Sequence, residues 1–439
     1  MSSNPCHCTT SALDLFTVPP TLTSIEQGSW VEYHPLATLT DSAPIEFIVN
    51  GASDLYLDLA NTFLQIQCKI VKANGEDLTS ADDDLIAPEN LFLHSLFSEL
   101  NISLNGTLVS SSTNTYAYRA YIETLLNYGR DCKDSQLALS MYFKNGSNIF
   151  PFSKSNQNQG LLSRMKRVQR SSTIDMLGRL HGDIFAQEKY LLNGVDLRLR
   201  MIRSKDSFSL LAVPASEGAE TEGYKVKMLQ ASLFIRKIKP NPAVLIAHSK
   251  ALRLATAKYP IKRIITKVFG IPQGNMNIIQ DNMFLGTRPN RLVIGFVDSR
   301  AWNGDYSRSA FEFHHHDIIS LALFSDGQQY PSKALKPSFD KNTYARSYFT
   351  LFSATGSAWK DQGNYISYED FKNGFCLFCF DLTASMMDDY AVEIPKTSSL
   401  RLEVNFKNPL SSPLHIIAYA EADGLIEIDQ ARQLIVDVA

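Results

Sequence analysis

The residues with the clearest potential for chemistry are three consecutive histidines, His314 to His316, in the stretch FEFHHHDIIS. On a β-strand His314 and His316 would share one face, which gives the His-x-His pair that a metal-binding cupin jelly roll uses. A cupin site also needs a nearby carboxylate and a further histidine on a later strand, whereas the only later histidine is His415. Asp317 alone does not complete the set. The pattern therefore favours three imidazoles at a strand end or in a loop, and no metal ligand is predicted.

Two cysteine motifs also have the spacing of metal or redox sites. Cys376 and Cys379 would point to opposite faces of a strand, and no second cysteine pair exists to complete a zinc site. We predict that both are buried thiols that behave as small hydrophobic groups. The motif Cys6-His7-Cys8 lies in a Ser/Thr-rich tail without a visible third ligand, and disorder is predicted there. Six cysteines in 439 residues do not form a disulfide framework, which suits a reducing compartment.

The charged residues give no convincing nucleic-acid site. The chain has 42 basic and 45 acidic residues and a net charge of −3, so no overall positive field attracts a phosphate backbone. The basic run Arg164 to Arg170 is predicted to be a solvated loop or a subunit contact, and the acidic run Asp82 to Asp84 an exposed loop. The sequence also has no Gly-x-Ser-x-Gly motif, phosphate loop or nucleotide fingerprint. We therefore predict no catalytic residue, no cofactor and no enzymatic activity.

The N-terminal residues do not resemble an export signal, because no charged region followed by an apolar region is present. No run of about 18 apolar residues occurs, so no membrane-spanning segment is predicted. We expect a soluble, unexported protein, in which the glycosylation sequons at Asn101, Asn105 and Asn145 are not used.

Most of the chain has the hydrophobic pattern of antiparallel β-sheet. Leu100, Ile102 and Leu104 alternate with polar residues, and Asn105-Gly106 supplies the two positive-φ residues of a tight hairpin. A change of phase between the apolar positions before and after Ala60-Asn61 predicts a bulge there. The same alternation occurs at 45–49, 55–59, 64–70 and 197–201, and again in the second half at 291–297, 319–324, 376–380, 400–406 and 414–420.

Long helical patterns are few. The clearest run from Asn114 to Tyr128, with Gly129 as a C-terminal cap, and from Ala243 to Ala257. The sequence therefore predicts a mainly β protein with a few short helices in its loops.

A repeat with a very long period links the two halves of the chain. Four landmarks recur in the same order, displaced by roughly two hundred residues: NTYA at Asn114 and Asn342, the Gly turns at Gly106 and Gly327, the motifs containing Asp183 and Asp381, and LRL at Leu197 and Leu400. Two copies of one domain with loops of different length explain this order.

The copies would each contain about eight short strands, which is typical of a jelly roll that packs two four-stranded sheets together. Pro240 and Pro242 end a strand at the seam between the copies. We predict an all-β chain of two tandem eight-stranded jelly-roll barrels: an N-terminal arm at 1–30, jelly roll 1 at 31–240, a linker helix at 241–257 and jelly roll 2 at 258–439.

Six stretches resemble a known family, in that family's order and from about Leu13 to Val438. The sequence is similar to the major capsid protein of Polinton (Maverick) elements and the related adintoviruses. The stretches are LDLFTVPPTLTSIEQGSWVEYHPL, YLDLANTFLQIQCKI, ENLFLHSLFSELNISLNGTLVSSSTNTYAYRAYIETLLNYG, DNMFLGTRPNRLVIGFVDSRAWNGDY, FCLFCFDLTAS and YAEADGLIEID. The histidines after Phe313 depart from the usual pattern, and the residues before Leu13 do not align.

This resemblance implies a double jelly-roll capsid protein. Three chains would form a capsomer of six barrels, and such capsomers would tile an icosahedral shell, with penton or minor capsid proteins at its vertices. The expected location is the virion, where the shell would enclose double-stranded DNA without sequence-specific binding. The alternatives are a cupin-type metal enzyme that uses His314 and His316, and a carbohydrate-binding jelly-roll protein.

Overall fold

The computed structural model describes residues 15, 18, 21–40, 43–83, 85–110, 112–146, 158–213, 223–284, 286, 288–383 and 396–436. The motif Cys6-His7-Cys8 and most of the predicted arm lie outside these residues.

The described residues form mainly β-strands. In chain order they are β1 (Ile25–Tyr33), β2 (Ile45–Val49), β3 (Tyr56–Lys72), β4 (Ile86–Pro88), β5 (Phe97–Leu104), β6 (Thr107–Ser110), β7 (Ile174–Arg179), β8 (Leu197–Arg203), β9 (Leu210–Ala212), β10 (Tyr224–Pro240), β11 (Ala257–Ile271), β12 (Asn277–Gln280), β13 (Arg291–Asp298), β14 (Ile318–Ser325), β15 (Gln328–Leu335), β16 (Leu377–Asp381), β17 (Leu400–Phe406), β18 (Leu414–Ile428) and β19 (Leu434–Val436).

The α-helices lie in the connections between strands. They are α1 (Phe92–Ser95), α2 (Tyr116–Asn127), α3 (Arg130–Asp134), α4 (Gln159–Lys166), α5 (Asp206–Ser209), α6 (Pro242–Ala251), α7 (Ser299–Asn303), α8 (Ala345–Ser353) and α9 (Tyr368–Lys372). The longest connection in the first half contains α2, α3 and α4.

The strands form two barrels with the same topology. In barrel 1 the sheets have the orders β1-β10-β3-β7 and β2-β8-β5-β6, and in barrel 2 they have the orders β11-β18-β13-β16 and β12-β17-β14-β15. The eight main strands of each barrel can be numbered one to eight along the chain. In both barrels one sheet then has the order first, eighth, third, sixth. The other sheet has the order second, seventh, fourth, fifth. This is the jelly-roll arrangement. The predicted fold class, two tandem eight-stranded jelly rolls with short helices in loops, is confirmed.

Strand β3 shows how the hydrophobic pattern produces this architecture. Leu64, Ile66, Cys68 and Ile70 are fully buried on one face, as a period of two requires. The pairing of β3 with β10 shifts register between Asp58 and Phe63. The shift moves the buried positions from the odd-numbered Leu57 and Leu59 to the even-numbered set, so the bulge predicted near Ala60-Asn61 is confirmed.

The repeat is visible in backbone conformation as well as in strand order. The hairpin residues Asn105 and Gly106 have φ values of 44° and 80°, and their counterparts Asp326 and Gly327 have 50° and 81°. The NTYA motifs also match, because Asn114 and Asn342 both have φ of 53° before a helix. Leu197 and Leu400 are the first residues of β8 and β17.

The remaining pair of landmarks is not equivalent. Asp381 ends β16, opposite Arg291 in β13, whereas Asp183 begins a 3-10 helix after β7 has ended. In barrel 1 the residue that corresponds to Asp381, at the end of β7 and paired with β3, is Arg179. A short match around one aspartate was too weak to fix register across a loop of different length.

Two predicted helix ends were also wrong. Helix α2 ends at Asn127, and Gly129 has an extended backbone with φ of −79° and precedes α3, so it is not a left-handed cap. Helix α6 ends at Ala251 because Ala257 already pairs with Ile428 as the start of β11.

Strand β1 includes the last residues of the predicted arm at 1–30. Strand β1 starts at Ile25, where it pairs with Pro240 at the end of β10. The domain limits at 30, 240 and 257 stay a prediction.

The direction of the strands gives each barrel two distinct ends. Successive main strands of a jelly roll run in alternate directions, so their connections fall alternately at one end and the other. One end carries the β2–β3, β5–β6 and β7–β8 connections and the equivalent connections of barrel 2, and we call this end the base. We call the opposite end the top. At the base of barrel 1, Asp196 Oδ1 accepts a hydrogen bond from Gly51 N at 2.7 Å, and Asn105 Oδ1 accepts one from Asp196 N at 2.7 Å.

The two barrels stand side by side with the same polarity. At the base, Leu192 N of barrel 1 donates to the Tyr259 hydroxyl of barrel 2 at 3.1 Å. At the top, Ala310 N of barrel 2 donates to Glu89 Oε2 of barrel 1 at 3.0 Å. Base therefore contacts base, and top contacts top.

Each barrel encloses a hydrophobic core, and the cores are not independent. Helix α2 comes from barrel 1, but its Tyr118, Tyr121 and Leu125 belong to the core cluster of barrel 2. In the other direction, Tyr259 and Ile426 of barrel 2 belong to the core cluster of barrel 1. Exchange of apolar side chains at both ends joins the barrels into one packed body.

The paired hairpins allow a test of the duplication. Gly106 and Gly327 have positive φ, and a Cβ added to either would meet no atom within 4 Å, so Gly106→Ala and Gly327→Ala change only the backbone strain. Each variant is expected to lower the free energy of unfolding by about 1–2 kcal/mol. Chemical denaturation of each variant measures this.

The matched control is Gly270→Ala, since Gly270 in β11 also has free space around it but no positive φ. It is expected to leave stability unchanged or slightly raised. Equal losses in Gly270→Ala and the hairpin variants would contradict the assignment of the hairpin conformation.

Candidate functional site

The three histidines lie in the connection that precedes β14, as the sequence indicated, and the rings of His314 and His316 are 6.0 Å apart, whereas His315 has other partners. His314 Nε2 lies 3.3 Å from Glu312 Oε2, whereas His315 stacks on Phe339 with ring centroids 3.9 Å apart. Burial, followed by the charges of its two neighbouring histidines, lowers the pKa of His316 to about 4. Among the described residues no group of three or more His, Cys, Asp or Glu side chains could hold a metal ion. That no metal is bound stays a prediction.

The thiols of Cys376 and Cys379 are buried and free, as the sequence predicted. Cys376 precedes β16 and Cys379 lies within it. Burial raises the pKa of both thiols, which leaves them protonated and unreactive at neutral pH.

The interpretation of the basic run as a solvated loop or subunit contact was wrong at its first residue. Arg164 lies on α4 and is completely buried. Its Nε donates to Pro88 O at 3.0 Å, and its Nη1 donates to Asn145 Oδ1 at 2.8 Å. The helix directs this one guanidinium inward, while Lys166 and Arg167 remain exposed.

The acidic run was likewise wrongly interpreted as exposed. Asp82 and Asp83 are 4% and 8% exposed. Asp82 Oδ2 accepts a hydrogen bond from Thr79 N at 2.8 Å and lies 3.2 Å from Lys72 Nζ. Although burial would raise the pKa of Asp82, these partners lower it. Asp84 lies outside the described residues.

A cluster of charged side chains lies at the junction of the two barrels. Arg119 and Glu123 occupy the same face of α2, one turn apart, and Arg119 Nε lies 2.9 Å from Glu123 Oε1. Arg119 Nη1 also lies 2.8 Å from Asp183 Oδ1, where both side chains are 4% exposed. His181 Nδ1 is 2.6 Å from Glu123 Oε2. We call these four residues the junction cluster.

Barrel 2 closes the junction cluster from the other side. Ile264 N in β11 donates to Asp183 Oδ1 at 3.3 Å, and the Tyr419 hydroxyl in β18 donates to Glu123 Oε1 at 3.4 Å. Although burial would raise the pKa of Glu123, the charge of Arg119 and the hydrogen bond from His181 lower it to about 2. A buried ion cluster contributes little net stability but strongly penalises any other arrangement of its partners. Because all four residues of the cluster belong to barrel 1, it holds α2 against the 3-10 helix that begins at Asp183, and barrel 2 adds two hydrogen bonds to it.

Further polar contacts join the barrels near the top. Lys144 Nζ lies 2.6 Å from Asp370 Oδ2. Lys133 Nζ donates to Leu125 O at 2.8 Å and to Asn364 O at 2.7 Å, and burial lowers its pKa to about 7. The contacts with Asp370 and Asn364 were not predicted, because each joins residues more than two hundred positions apart. The i, i+4 spacing of Arg119 and Glu123 on a predicted helix was the one sign of the junction cluster within a short stretch of sequence.

At the base a mainly apolar cavity of about 550 Å³ opens between α6 and the two barrels. Tyr56, Leu192, Leu252, Ala255 and Tyr259 line it. We call it the base pocket. The Tyr56 hydroxyl is 2.8 Å from His248 Nδ1 of α6, which ties this helix to barrel 1.

Large apolar side chains are exposed at both ends of the molecule. Trp359, in the connection after α8 at the top, is 93% exposed and has φ of 63°. Near the base, Ile246 of α6 and Leu254 are 57% and 91% exposed. Exposed apolar groups in such numbers are typical of surfaces that contact another molecule. No helix in the described ranges is long and apolar enough to span a membrane.

The junction cluster predicts a large effect for one substitution. Arg119→Met leaves Asp183 and Glu123 as buried carboxylates without their cation, so the free energy of unfolding is expected to fall by about 3–5 kcal/mol. Denaturant titration measures it. The control Arg130→Met breaks another i, i+4 pair, with Asp134, whose side chains are 71% and 49% exposed. That loss is expected to stay below about 0.5 kcal/mol, and equal losses in the two variants would contradict the account.

The histidine beside the cluster predicts a pH dependence. Burial, and then the neighbouring His181, lowers the pKa of His94 well below its usual value. In the unfolded chain His94 has a pKa of about 6.5. Below that pH it binds a proton in the unfolded state but not in the folded state, so folding stability falls as the pH decreases.

His94→Gln is therefore expected to reduce the slope of unfolding free energy against pH between 6.5 and 5 by about 1.1 kcal/mol per pH unit on average. The exposed His34, at 68%, provides the control His34→Gln, and the change in slope caused by His94→Gln is expected to exceed that of the control. A His94→Gln slope equal to that of the unsubstituted protein would show that His94 does not contribute.

Comparison with known proteins extends over the whole chain. No protein-family model matches the sequence. A Caenorhabditis elegans protein described only as uncharacterized is 24% identical over 435 residues, which cover 96% of this chain and 99% of that protein. Both barrels lie within the alignment.

Solved structures share the fold at low sequence identity. A chain of the Sputnik virophage, determined by cryo-EM, has a TM-score of 0.60 and 15% identity and covers 99% of this chain and 94% of its own. For the mavirus major capsid protein the TM-score is 0.55 at 12% identity, with 100% and 95% covered. For the Faustovirus major capsid protein it is 0.57 at 8% identity, with 94% and 92% covered. The chain thus has the double jelly-roll fold of viral major capsid proteins, as its resemblance to the Polinton proteins predicted.

Proposed function

We propose that this chain is a major capsid protein of the Polinton and adintovirus type, and that its trimers build an icosahedral shell. The observation that supports this best is the alignment of two barrels with the same strand order, side by side and with the same polarity. Three such chains around one axis place six barrels in a nearly hexagonal ring. Such a block fits six-coordinated positions of a shell while it obeys only threefold symmetry.

The two ends of the block suit the two surfaces of a shell. Helices α2 to α4 and α8 to α9, with their long connections, lie at the top, whereas α6 and the start of β1 lie at the base. We assign the base to the inner surface, where the N-terminal segment that precedes β1 extends beneath the barrels and reaches neighbouring chains.

Trp359 is our candidate for an anchor between chains at the top. Its exposed ring lies 5.8 Å from the ring of Phe349, which is itself 40% exposed. Tryptophan is enriched among the residues that dominate binding energy at interfaces, and strained backbone conformations occur at functional positions. Within one chain, this exposure has no structural benefit.

The other partners follow from the same assignment. Penton or minor capsid proteins would occupy the fivefold vertices, where six barrels do not fit. The shell would enclose double-stranded DNA without sequence-specific contact, because the net charge of −3 provides no general attraction for phosphate. The protein would be located in the virion and act as a structural component, not as an enzyme.

Light scattering on the full-length recombinant protein during size-exclusion chromatography tests this function. A trimer that forms higher assemblies as concentration rises is expected, since permanent assemblies bury several thousand Å2 of surface. A stable monomer would contradict it. Stoichiometric iron, manganese or zinc would favour the cupin-type enzyme, and glycan binding by a trimer that never assembles further would favour the carbohydrate-binding protein.

Trp359→Ala is expected to weaken assembly without affecting the folding of the chain. Because the side chain is 93% exposed, the midpoint of thermal unfolding of the isolated chain is expected to change little. Loss of an aromatic anchor typically weakens an interface by about 2 kcal/mol or more, a factor of roughly thirty in the association constant. Sedimentation velocity across a concentration series measures this shift. Unchanged association would exclude Trp359 from the interface.

A further inference from the structure

We propose that the N-terminal segment around Leu15, Val18 and Leu22 binds in the base pocket of a neighbouring copy of this chain. This inference rests on the proposed function and adds to it the partner of a defined cavity. It connects two apolar surfaces that the single chain leaves uncovered at the same end of the molecule.

The segment provides the first surface. Leu15, Val18 and Leu22 are 76%, 86% and 70% exposed, although each is a large apolar side chain. They lie just before β1, and Ser24 O accepts a hydrogen bond at 2.9 Å from Asn241 N, the residue that caps the start of α6. The segment therefore leaves the barrels beside the helix that forms one wall of the base pocket.

The base pocket provides the second surface. Its volume of about 550 Å³ is suitable for several apolar side chains, and its walls come from barrel 1, from α6 and from the start of β11. No residue of α6 is buried, even though the helix contains Val244, Leu245 and Ile246. Leu245 packs on the core of barrel 1, whereas Ile246 is 57% exposed, and an exposed apolar face of this kind is typical of one that a partner covers.

The charges of the two surfaces are complementary. Among the first 24 residues, Asp14 is the only side chain of the Asp, Glu, Lys and Arg types. The stretch from Pro242 to Lys258 contains the cations Lys250, Arg253 and Lys258 and no acidic residue. Of the charged residues that line the pocket itself, Lys189 and Lys258 are basic and Glu188 is acidic, so a segment with a single carboxylate meets a lining with a small excess of positive charge.

Exchange between copies fits the geometry better than binding within one chain. In the single chain the three apolar side chains remain exposed and the base pocket remains open. An extended stretch from Asp14 to Ser24 spans up to about 35 Å, more than twice the length of about 15 Å expected for α6. The segment is long enough to leave its own base and reach the adjoining one.

The first experiment measures binding directly. The acceptor is the full-length protein with Leu15→Ser, Val18→Ser and Leu22→Ser, and the probe is a fluorescent peptide of residues 11–24. Saturable binding is expected. Ala255→Trp in the same acceptor fills the pocket and is expected to weaken binding at least tenfold, whereas the control Ala247→Trp, on α6 but outside the pocket lining, leaves it unchanged.

Absence of saturable binding, or equal weakening by the two tryptophans, would overturn the proposed site. Binding of vesicles rich in acidic phospholipid that depends on the pocket, with none of the peptide, would assign this surface to a membrane and also overturn it. Because the peptide can be titrated whether the acceptor is monomeric or trimeric, this result is independent of the oligomeric state that tests the capsid function.

The second experiment distinguishes the two copies. Isotopically light and heavy chains are mixed under assembly conditions, cross-linked between Asp14 and the nearby lysines, and digested for mass spectrometry. Mixed light and heavy pairs that join residue 14 to Lys250 or Lys258 are expected. If only pairs of equal isotope form, the segment binds within its own chain and exchange between copies is excluded.

Discussion

The alignment of the two barrels depends on one helix, α2, which belongs to barrel 1 by sequence and to barrel 2 by packing. Its Tyr118 and Tyr121 lie in the core of barrel 2, and the Tyr121 ring stacks on Phe311 with centroids 4.3 Å apart. Arg119 and Glu123, on the same helix, form the buried ion cluster with Asp183. Apolar burial supplies the stabilisation across the junction, and the desolvated ions hold α2 in one position against barrel 1. A rigid pair of parallel barrels follows from this helix.

Duplication alone does not make such a pair. Two identical barrels on a flexible linker would adopt many relative orientations, and only a fixed one places six barrels evenly around a threefold axis. The chain meets this requirement by making the connections of barrel 1 longer than those of barrel 2, so that α2, α3 and the residues near Lys144 reach across the junction. The displacement between the repeated motifs varies along the sequence because the connections of the two barrels differ in length.

Much of the fold could be predicted because its signals are local. Alternation identified β3 and β8, the Asn105-Gly106 hairpin had the expected positive φ values, and the NTYA motif preserved a helix start in both copies. The junction could not be predicted in the same way. Arg164 and Asp82 were taken as solvated because charge in a short window indicates a surface, whereas their partners Asn145 and Lys72 become neighbours only in the folded chain. The helix that follows Asn114 was predicted, but nothing near it in the sequence shows that α2 packs into the core of barrel 2.

The central claim is that three chains with fixed parallel barrels imitate a hexagon. Electron microscopy of the purified full-length protein tests it most directly, through class averages of particles viewed along the barrel axes. The account predicts six-lobed, nearly hexagonal blocks with threefold symmetry, either alone or within closed shells. Particles with two lobes at every concentration, or trimers in which the two barrels of each chain take variable positions, would contradict it.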